Sequence, residues 1–170
     1  MRTVHESAVV SPHARIYASR LVVGKHSRID DGAILTGDIE IGDYVHIAAY
    51  AVLTGKAGIK VGSYTGISMY CGVFTGTDDF SGASMVGPTV PEKYKPGLNV
   101  GRVEIGRNVM IGAHCTILPG VKIGDGAAVG AHSLVKEDLA PDAIYAGVPA
   151  KRLKHRRQEM WDLMRQLESV

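Results

Sequence analysis

Tryptophan and phenylalanine are scarce in this sequence, which has one tryptophan and two phenylalanines among 170 residues. Cysteine is also scarce, because only Cys71 and Cys115 are present, and two cysteines are too few for a disulfide framework. Apolar runs are short, so no segment approaches the roughly 20 residues that span a bilayer. The N-terminal residues lack the apolar core of a signal peptide. We therefore expect a protein of the reducing cytoplasm that has no membrane anchor.

An excess of one sign of charge is missing as well. Nineteen basic residues against 17 acidic ones leave a net charge of +2, which argues against nucleic acid as a partner. The positive charge is instead local, because basic residues crowd the segment 151–157.

A branched apolar residue returns every six positions through most of the chain. The members of this hexad repeat are Val23, Ile29, Leu35, Ile41, Ile47, Leu53, Val61, Ile67, Val73, Ile105, Ile111, Ile117, Ile123, Val129 and Val135. Neither the 3.6-residue period of a helix nor the two-residue period of a strand gives this spacing. It predicts an all-β solenoid of triangular coils, about 18 residues each, whose inward residues stack about 4.8 Å apart. We expect small residues or glycine at the corners, where backbones approach closely and φ can be positive.

Several runs of sequence resemble the hexapeptide-repeat acyltransferases. They are residues 41–45 (IGDYV), 105–113 (IGRNVMIGA), 117–126 (ILPGVKIGDG) and 146–151 (AGVPAK). The resemblance covers residues 4–154 and is closest to the sugar O- and N-acetyltransferases. It implies a left-handed parallel β-helix and a homotrimer with active sites between subunits.

The repeat is interrupted once at length, and the chain changes character near its end. Residues 1–150 are predicted to form the β-helix domain, and the Gly-, Pro- and Ser-rich residues 79–102 are predicted to form a protruding loop within it. Residues 151–170 are predicted to form a C-terminal amphipathic α-helix, because Met160, Leu163, Met164 and Leu167 share one face. We expect this helix to pack on the end of the β-helix and on a neighbouring subunit.

The same resemblance implies a reaction. It implies transfer of an acetyl group from acetyl-CoA to a sugar or nucleotide sugar, in the synthesis of surface polysaccharides such as lipopolysaccharide. We expect no metal. Carried over residue by residue, the family's coenzyme A contacts fall on Ala113, Ala131, Lys136, Lys151 and Lys154. Whether the acceptor is an amine or a hydroxyl stays open at this point.

Asp78 is the first candidate for the catalytic base, because it stands where galactoside-type enzymes carry a histidine. A carboxylate with an ordinary pKa near 3.9 is better suited to an ammonium than to a sugar hydroxyl, which favours an amino-sugar acceptor. His46 is the second candidate and is similar to a histidine of sugar-amine N-acetyltransferases. It would meet Asp78 only across a subunit interface. Tyr50 and Asp79 are predicted to contact the acceptor.

Two other functions are compatible with the sequence. One is a non-catalytic trimeric scaffold. The other is a metal-dependent hydratase that resembles the carbonic anhydrases among trimeric β-helices, because His114 and His132 lie one coil apart at the same corner. Catalytic zinc usually has three protein ligands, which argues against the second. Binding of coenzyme A would separate the acyltransferase from both alternatives.

Overall fold

The computed structural model describes residues 1–169, which form a stack of parallel β-coils followed by a helix. In chain order the strands are β1 (Arg2–Val4), β2 (Val9–Val10), β3 (Arg15–Val23), β4 (Arg28–Ile29), β5 (Ile34–Ile41), β6 (His46–Ile47), β7 (Val52–Val61), β8 (Gly66–Ile67), β9 (Gly72–Phe74), β10 (Gly76–Thr77), β11 (Asn99–Val100), β12 (Val103–Ile105), β13 (Met110–Ile111), β14 (Thr116–Ile117), β15 (Lys122–Ile123), β16 (Ala128–Val129), β17 (Leu134–Val135), β18 (Ala143–Ala146) and β19 (Lys151–His155). Helix α1 spans Glu159–Glu168, and a 3-10 turn spans Glu92–Tyr94.

Two sheets make the three faces of the prism. The larger sheet divides at β7, because β9 continues from the first half of that strand and β12 from its second half. The smaller sheet forms the third face, in the order β2-β4-β6-β8-β13-β16-β18-β19. Strand pairs between successive coils are parallel, which confirms the predicted parallel β-solenoid.

The hexad residues form the core of the prism. From Val23 to Val135 each of them is at most 3% exposed. On the third face Ile29, Ile47, Ile67, Ile111 and Val129 lie opposite one another in consecutive coils. Because burying one such side chain stabilises a fold by about 1.5–3 kcal/mol, this repeated contact is the main source of stability.

The corners differ from the prediction of small residues. Small side chains line the inner side of the corners, where Ala33, Ala51 and Cys71 are fully buried. Glycine has a positive φ at corners such as Gly32 and Gly126, as predicted. Left-handed φ also occurs, however, at positions that are mostly tyrosine or histidine, namely His26, Tyr44, Tyr50, Tyr64, Tyr70, Asn108, His114, His132 and Asp142. Their rings stack from coil to coil, with centroids 5.3 Å apart for Tyr50 and Tyr70 and 5.0 Å apart for Tyr70 and His114. A corner side chain points to solvent, so stacking on the next coil offsets the backbone strain.

The C-terminal segment differs from the predicted helix over residues 151–170. Lys151–His155 is instead strand β19, antiparallel to β18, and α1 begins only at Glu159. Residues 151–155 form a strand because the chain turns back along the open edge of β18 and pairs with it. Val170 lies outside the described residues.

Helix α1 packs against one corner of the prism. Trp161 Nε1 donates a hydrogen bond of 2.9 Å to Asp142 Oδ1, and Arg107 Nη2 lies 2.6 Å from Glu168 Oε1. A Cβ at Gly126 would lie 2.8 Å from the Trp161 ring, so glycine is needed for this approach. Leu163 and Leu167 of the predicted apolar stripe remain exposed. Within residues 1–169 no helix is long and apolar enough to cross a membrane.

The long loop leaves and rejoins the prism through a short antiparallel pair. Gly76–Thr77 pairs with Asn99–Val100, so the protruding part is residues 78–98, which is shorter than the predicted 79–102. Several apolar side chains of this loop face solvent, and Phe80 is 93% exposed.

Candidate active site

Asp78 lies at the start of the loop and lines a cavity of about 310 Å³ between the loop and strand β7. Thr54, Lys56, Glu92 and Lys95 line the same cavity. Asp78 Oδ2 accepts a hydrogen bond of 2.9 Å from the Gly87 N–H. Its other oxygen has no hydrogen-bond donor within residues 1–169, which leaves it available to a ligand.

Asp79 organises the loop. Its carboxylate accepts hydrogen bonds from the N–H groups of Ser81, Ala83 and Ser84, at 2.9, 2.9 and 3.1 Å. The hydrogen bonds from Ser81 are the main reason that the pKa of Asp79 lies below its ordinary value. These contacts hold the turn that follows Asp78, and the predicted contact of Asp79 with the acceptor stays a prediction.

His46 lies on the third face, beside a second cavity of about 190 Å³. The cavity exists because Gly66, on the neighbouring strand, has no side chain to fill the space between His46 and Met110. A Cβ at Gly66 would meet no atom within 4 Å, so this glycine is not required by packing. Because Gly66 has no side chain, the otherwise flat sheet has a depression at this position.

Asp30 holds the His46 ring. His46 Nε2 donates to Asp30 Oδ2 at 2.8 Å, and Arg28 donates to the other carboxylate oxygen. Burial acts to raise the pKa of Asp30, but the hydrogen bonds from His46 and Arg28 outweigh it, so this pKa is lower than usual. With Nε2 engaged, Nδ1 of a neutral ring is the atom that can accept a proton.

The two catalytic candidates do not meet within one subunit. Asp78 and His46 line cavities that share no residue. Tyr50 stacks on Tyr70 at the corner next to His46 and is 53% exposed. Its predicted contact with the acceptor also stays a prediction.

Comparison with known proteins identifies the family. The family model described as bacterial transferase hexapeptide (six repeats) matches residues 21–55 and 102–137. A dTDP-4-amino-4,6-dideoxy-D-glucose acyltransferase of Escherichia coli is 34% identical over 166 residues, which are 95% of this chain and 86% of that protein. The chain belongs to the hexapeptide-repeat acyltransferases.

Solved structures of this acyltransferase family match over nearly the whole chain. AntD, an N-acyltransferase from Bacillus cereus, is 40% identical in a crystal structure with dTDP-4-amino-4,6-dideoxyglucose and coenzyme A. That match covers 99% of this chain and 91% of AntD, with a TM-score of 0.95. A complex of AntD with dTDP and 3-hydroxybutyryl-CoA also has a TM-score of 0.95, at 40% identity over 98% of this chain and 89% of AntD. The left-handed parallel β-helix expected for an acyltransferase of this type is thereby confirmed.

The residues predicted to contact coenzyme A lie in the C-terminal coils of the acyltransferase. Ala113 and Ala131 follow each other at one corner, where the Ala113 carbonyl accepts a hydrogen bond of 2.9 Å from the His132 N–H. Lys151 and Lys154 lie exposed on β19, and neither has an acidic partner within residues 1–169. Lys136 lies 3.8 Å from Glu137 and is half-exposed. The exposed ammonium groups of Lys151 and Lys154 are thus free to meet phosphates, whereas that of Lys136 is paired with a carboxylate.

The alternative of a metal site has little to support it. His114 and His132 stack with centroids 4.7 Å apart, as their spacing predicts. Over the part of the chain that the structure describes, no three His, Cys, Asp or Glu side chains are arranged to hold a metal ion. The two rings are part of a stacked corner column that continues through Tyr70 and Tyr50.

Ser68 is a candidate that the sequence analysis missed. It borders the His46 cavity of the acyltransferase, directly after the inward Ile67. The equivalent outward positions of the neighbouring coils hold Asp30, Ala48, Gly112 and Gly130. Polar side chains in this otherwise small-residue column are the signal that identifies both Ser68 and Asp30.

Proposed function

We propose that this acyltransferase transfers an acyl group from an acyl-CoA to the amine of a nucleotide-linked amino sugar. The observation that carries the proposal is the partly buried Asp78, which has a free carboxylate oxygen in the loop cavity. The E. coli relative and AntD support the same chemistry, since both are named for N-acylation or for an amino-sugar substrate. The sequence analysis predicts acetyl-CoA as donor, and the AntD complex with 3-hydroxybutyryl-CoA makes a longer acyl group worth testing.

The substituted positions of AntD support roles for Ser68 and Asp78. In the solved AntD variants either a serine or an aspartate is substituted, and the aspartate lies ten positions after the serine. In the present chain Ser68 and Asp78 are separated by the same ten positions, and no other serine precedes an aspartate by that distance. We infer that these two residues correspond to the AntD pair.

Two side chains are candidates for the proton acceptor in this reaction, the Asp78 carboxylate and the His46 ring. A sugar ammonium binds the Asp78 carboxylate and gives it one proton, and the free amine then attacks the thioester carbon. The C–N bond forms as the C–S bond breaks, and the nitrogen loses its second proton to the coenzyme A sulfur, so that coenzyme A leaves as the thiol. A hydroxyl group such as that of Ser68 is suited to hydrogen-bond the amine or the developing oxyanion. His46, oriented by Asp30, is the alternative proton acceptor. The proposed coenzyme A contacts are Ala113 and Ala131 for the pantetheine arm, and Lys136, Lys151 and Lys154 for the phosphates.

We also propose that the active enzyme is a cytoplasmic homotrimer that acts in surface-polysaccharide synthesis. Phe80, Met85 and Val86 are each more than half exposed on the loop, which is expected of side chains that a neighbouring subunit covers. A site between subunits would also bring Asp78 of one copy towards His46 of another. The two separate cavities of the monomer support this arrangement.

The test is thiol release from acetyl-CoA and 3-hydroxybutyryl-CoA with two acceptors, dTDP-4-amino-4,6-dideoxyglucose and its 4-hydroxy counterpart. We expect release only with the amine. Asp78→Asn should lower kcat/KM by about a hundredfold or more, whereas Asp162→Asn, an exposed change on α1, should leave it unchanged. Release with the hydroxyl sugar alone would replace N-acylation by O-acylation, and full activity of Asp78→Asn would remove Asp78 from the reaction.

Subunit exchange tests whether the site is shared. If His46→Gln is also inactive, mixed trimers of that variant with Asp78→Asn should regain part of the activity, because some interfaces combine an intact Asp78 with an intact His46. Absence of recovery in demonstrated mixed trimers would contradict an active site that combines Asp78 of one subunit with His46 of another.

A further inference from the structure

Lys95 is an unusual residue in the loop cavity. At 8% exposure it is the one charged residue within positions 1–169 that is buried. Its ammonium donates a hydrogen bond of 2.9 Å to the Gly87 carbonyl, and no carboxylate of the described chain lies within ion-pair distance. An ammonium has three N–H groups, so two of them lack a protein acceptor. A buried charge with so few partners is costly and indicates a missing anion.

Gly87 is hydrogen-bonded to both Asp78 and Lys95, which fixes the positions of these two side chains relative to each other. Its N–H donates to Asp78 Oδ2 at 2.9 Å, and its carbonyl accepts from Lys95 Nζ at 2.9 Å. Gly87 has a φ of +96°, a conformation that other residues rarely adopt. The cavity therefore presents one anionic and one cationic side chain that are held by the same residue and do not neutralise each other.

A second lysine in the cavity does not share this property. Lys56 Nζ is paired with Glu92 Oε1, and both side chains are largely exposed. Its charge is thus already compensated, and water screens what remains. Lys56 provides a matched control for Lys95, because both lysines line the same cavity.

We propose that the Lys95 ammonium binds the phosphate attached to the anomeric oxygen of the nucleotide-linked amino sugar. This inference rests on the proposed function, in which Asp78 binds the amine of the same sugar. A 4-amino sugar of this kind carries an ammonium and a phosphate on opposite sides of one ring, so it offers a cation to Asp78 and an anion to Lys95. Val90, Leu98 and Val100 line the remaining wall, where the apolar faces of a deoxysugar would pack.

The test compares binding of dTMP, dTDP and coenzyme A by calorimetry in the full-length protein. Only dTDP has the second phosphate, the one to which the sugar is attached. Wild-type protein should bind dTDP at least tenfold more tightly than dTMP, and Lys95→Met should remove most of that ratio without weakening coenzyme A. Lys56→Met should keep the ratio, and Lys95→Arg should restore part of it.

Each contrary result has a definite meaning. A wild-type protein that does not distinguish dTDP from dTMP, or a Lys95→Met ratio equal to wild type, overturns the proposal. Equal weakening of both nucleotides assigns Lys95 to loop structure alone, and weakening of coenzyme A alone assigns the ammonium to the donor. If Lys95→Met does not fold, Lys95→Gln carries the same comparison. Because the readout is nucleotide binding, a Lys95-dependent ratio without amine acylation would contradict only the proposed function.

Discussion

The coil stack and the loop at residues 78–98 are built on different principles. In the coils each inward residue contacts its counterparts one coil above and below, so Ile41 lies between Val23 and Val61 in the ladder. The loop has no such repeat. It is held by side chains that bond to its backbone, chiefly those of Asp78, Asp79 and Lys95. The coils provide a rigid frame, and the loop brings the partly buried Asp78 and the buried Lys95 to that frame.

This difference predicts that substitutions in the coils mainly change stability and that substitutions in the loop mainly change activity. Substitutions in the ladder should act on the unfolding of the whole domain, because a stack of nearest-neighbour contacts loses two interfaces when one layer is damaged. Substitutions among the loop's polar contacts should act on the site and leave the stack intact.

The largest expected effect is that of Ile41→Ala. Ile41 is 1% exposed and packs inside the stack, so its truncation leaves a cavity that should lower the free energy of unfolding by about 2–5 kcal/mol. The measurement is urea unfolding monitored by circular dichroism. Glu40→Ala, at the adjacent outward position, is the control and should cost far less. Comparable losses from the two variants would contradict the inward and outward assignment of the ladder.

The ladder is also the part of the structure that the sequence predicts best. Each hexad residue from Val23 to Val135 is buried, as predicted. The prediction is reliable because every six-residue repeat forms one face of a coil, so the spacing in the sequence directly gives the inward positions. The strand at Lys151–His155 was missed because its highly charged sequence has no strand pattern, and its pairing with β18 is decided by an open edge elsewhere in the chain. The aromatic corners were missed because ring stacking between coils depends on side chains that are 18 or more residues apart.

The site was predictable only in part, for the same physical reason. Asp78 was located through the family resemblance, because it stands where galactoside-type enzymes carry a histidine, after the last hexad before the loop. The hydrogen bonds of Asp79 to three loop N–H groups depend on turn geometry, which has no period. The partner of Lys95 could not be inferred either, because burial of a loop lysine depends on how the loop folds back on β7.

The second prediction concerns Asp79→Ala, which removes the acceptor for those three N–H groups. We expect the melting temperature of the coils to stay within about 2 °C, whereas trypsin should cleave the loop after Lys93 much faster. Activity should fall about tenfold or more, because Asp78 loses its fixed position. Asp79→Asn keeps one oxygen acceptor and should be intermediate. A large drop in melting temperature would show that the loop and the coils unfold as one unit.

Acid should reproduce the effect of Asp79→Ala. The pKa of Asp79 is lower in the folded loop than in the unfolded chain, where it is near 3.9. Its stabilising contribution is therefore complete above that pH and is lost as the pH falls through the lowered folded value. Protection of the loop N–H groups of Ser81, Ala83 and Ser84 from hydrogen exchange should decrease in that range, and in Asp79→Ala it should be low at every pH.

The smallest expected effect is that of Lys60→Gln on the charged face of the stack. Lys60 lies opposite Glu40 and Glu104 in the strand register, and its Nζ is 3.7 Å from Glu40 Oε1. The Lys60 side chain is 55% exposed, so water and salt screen the pair, and the free energy of unfolding should change by less than about 0.5 kcal/mol. Urea unfolding at low and high salt measures the change. A loss comparable to that of Ile41→Ala would mean that outward charges, and not only the inward ladder, hold the coils together.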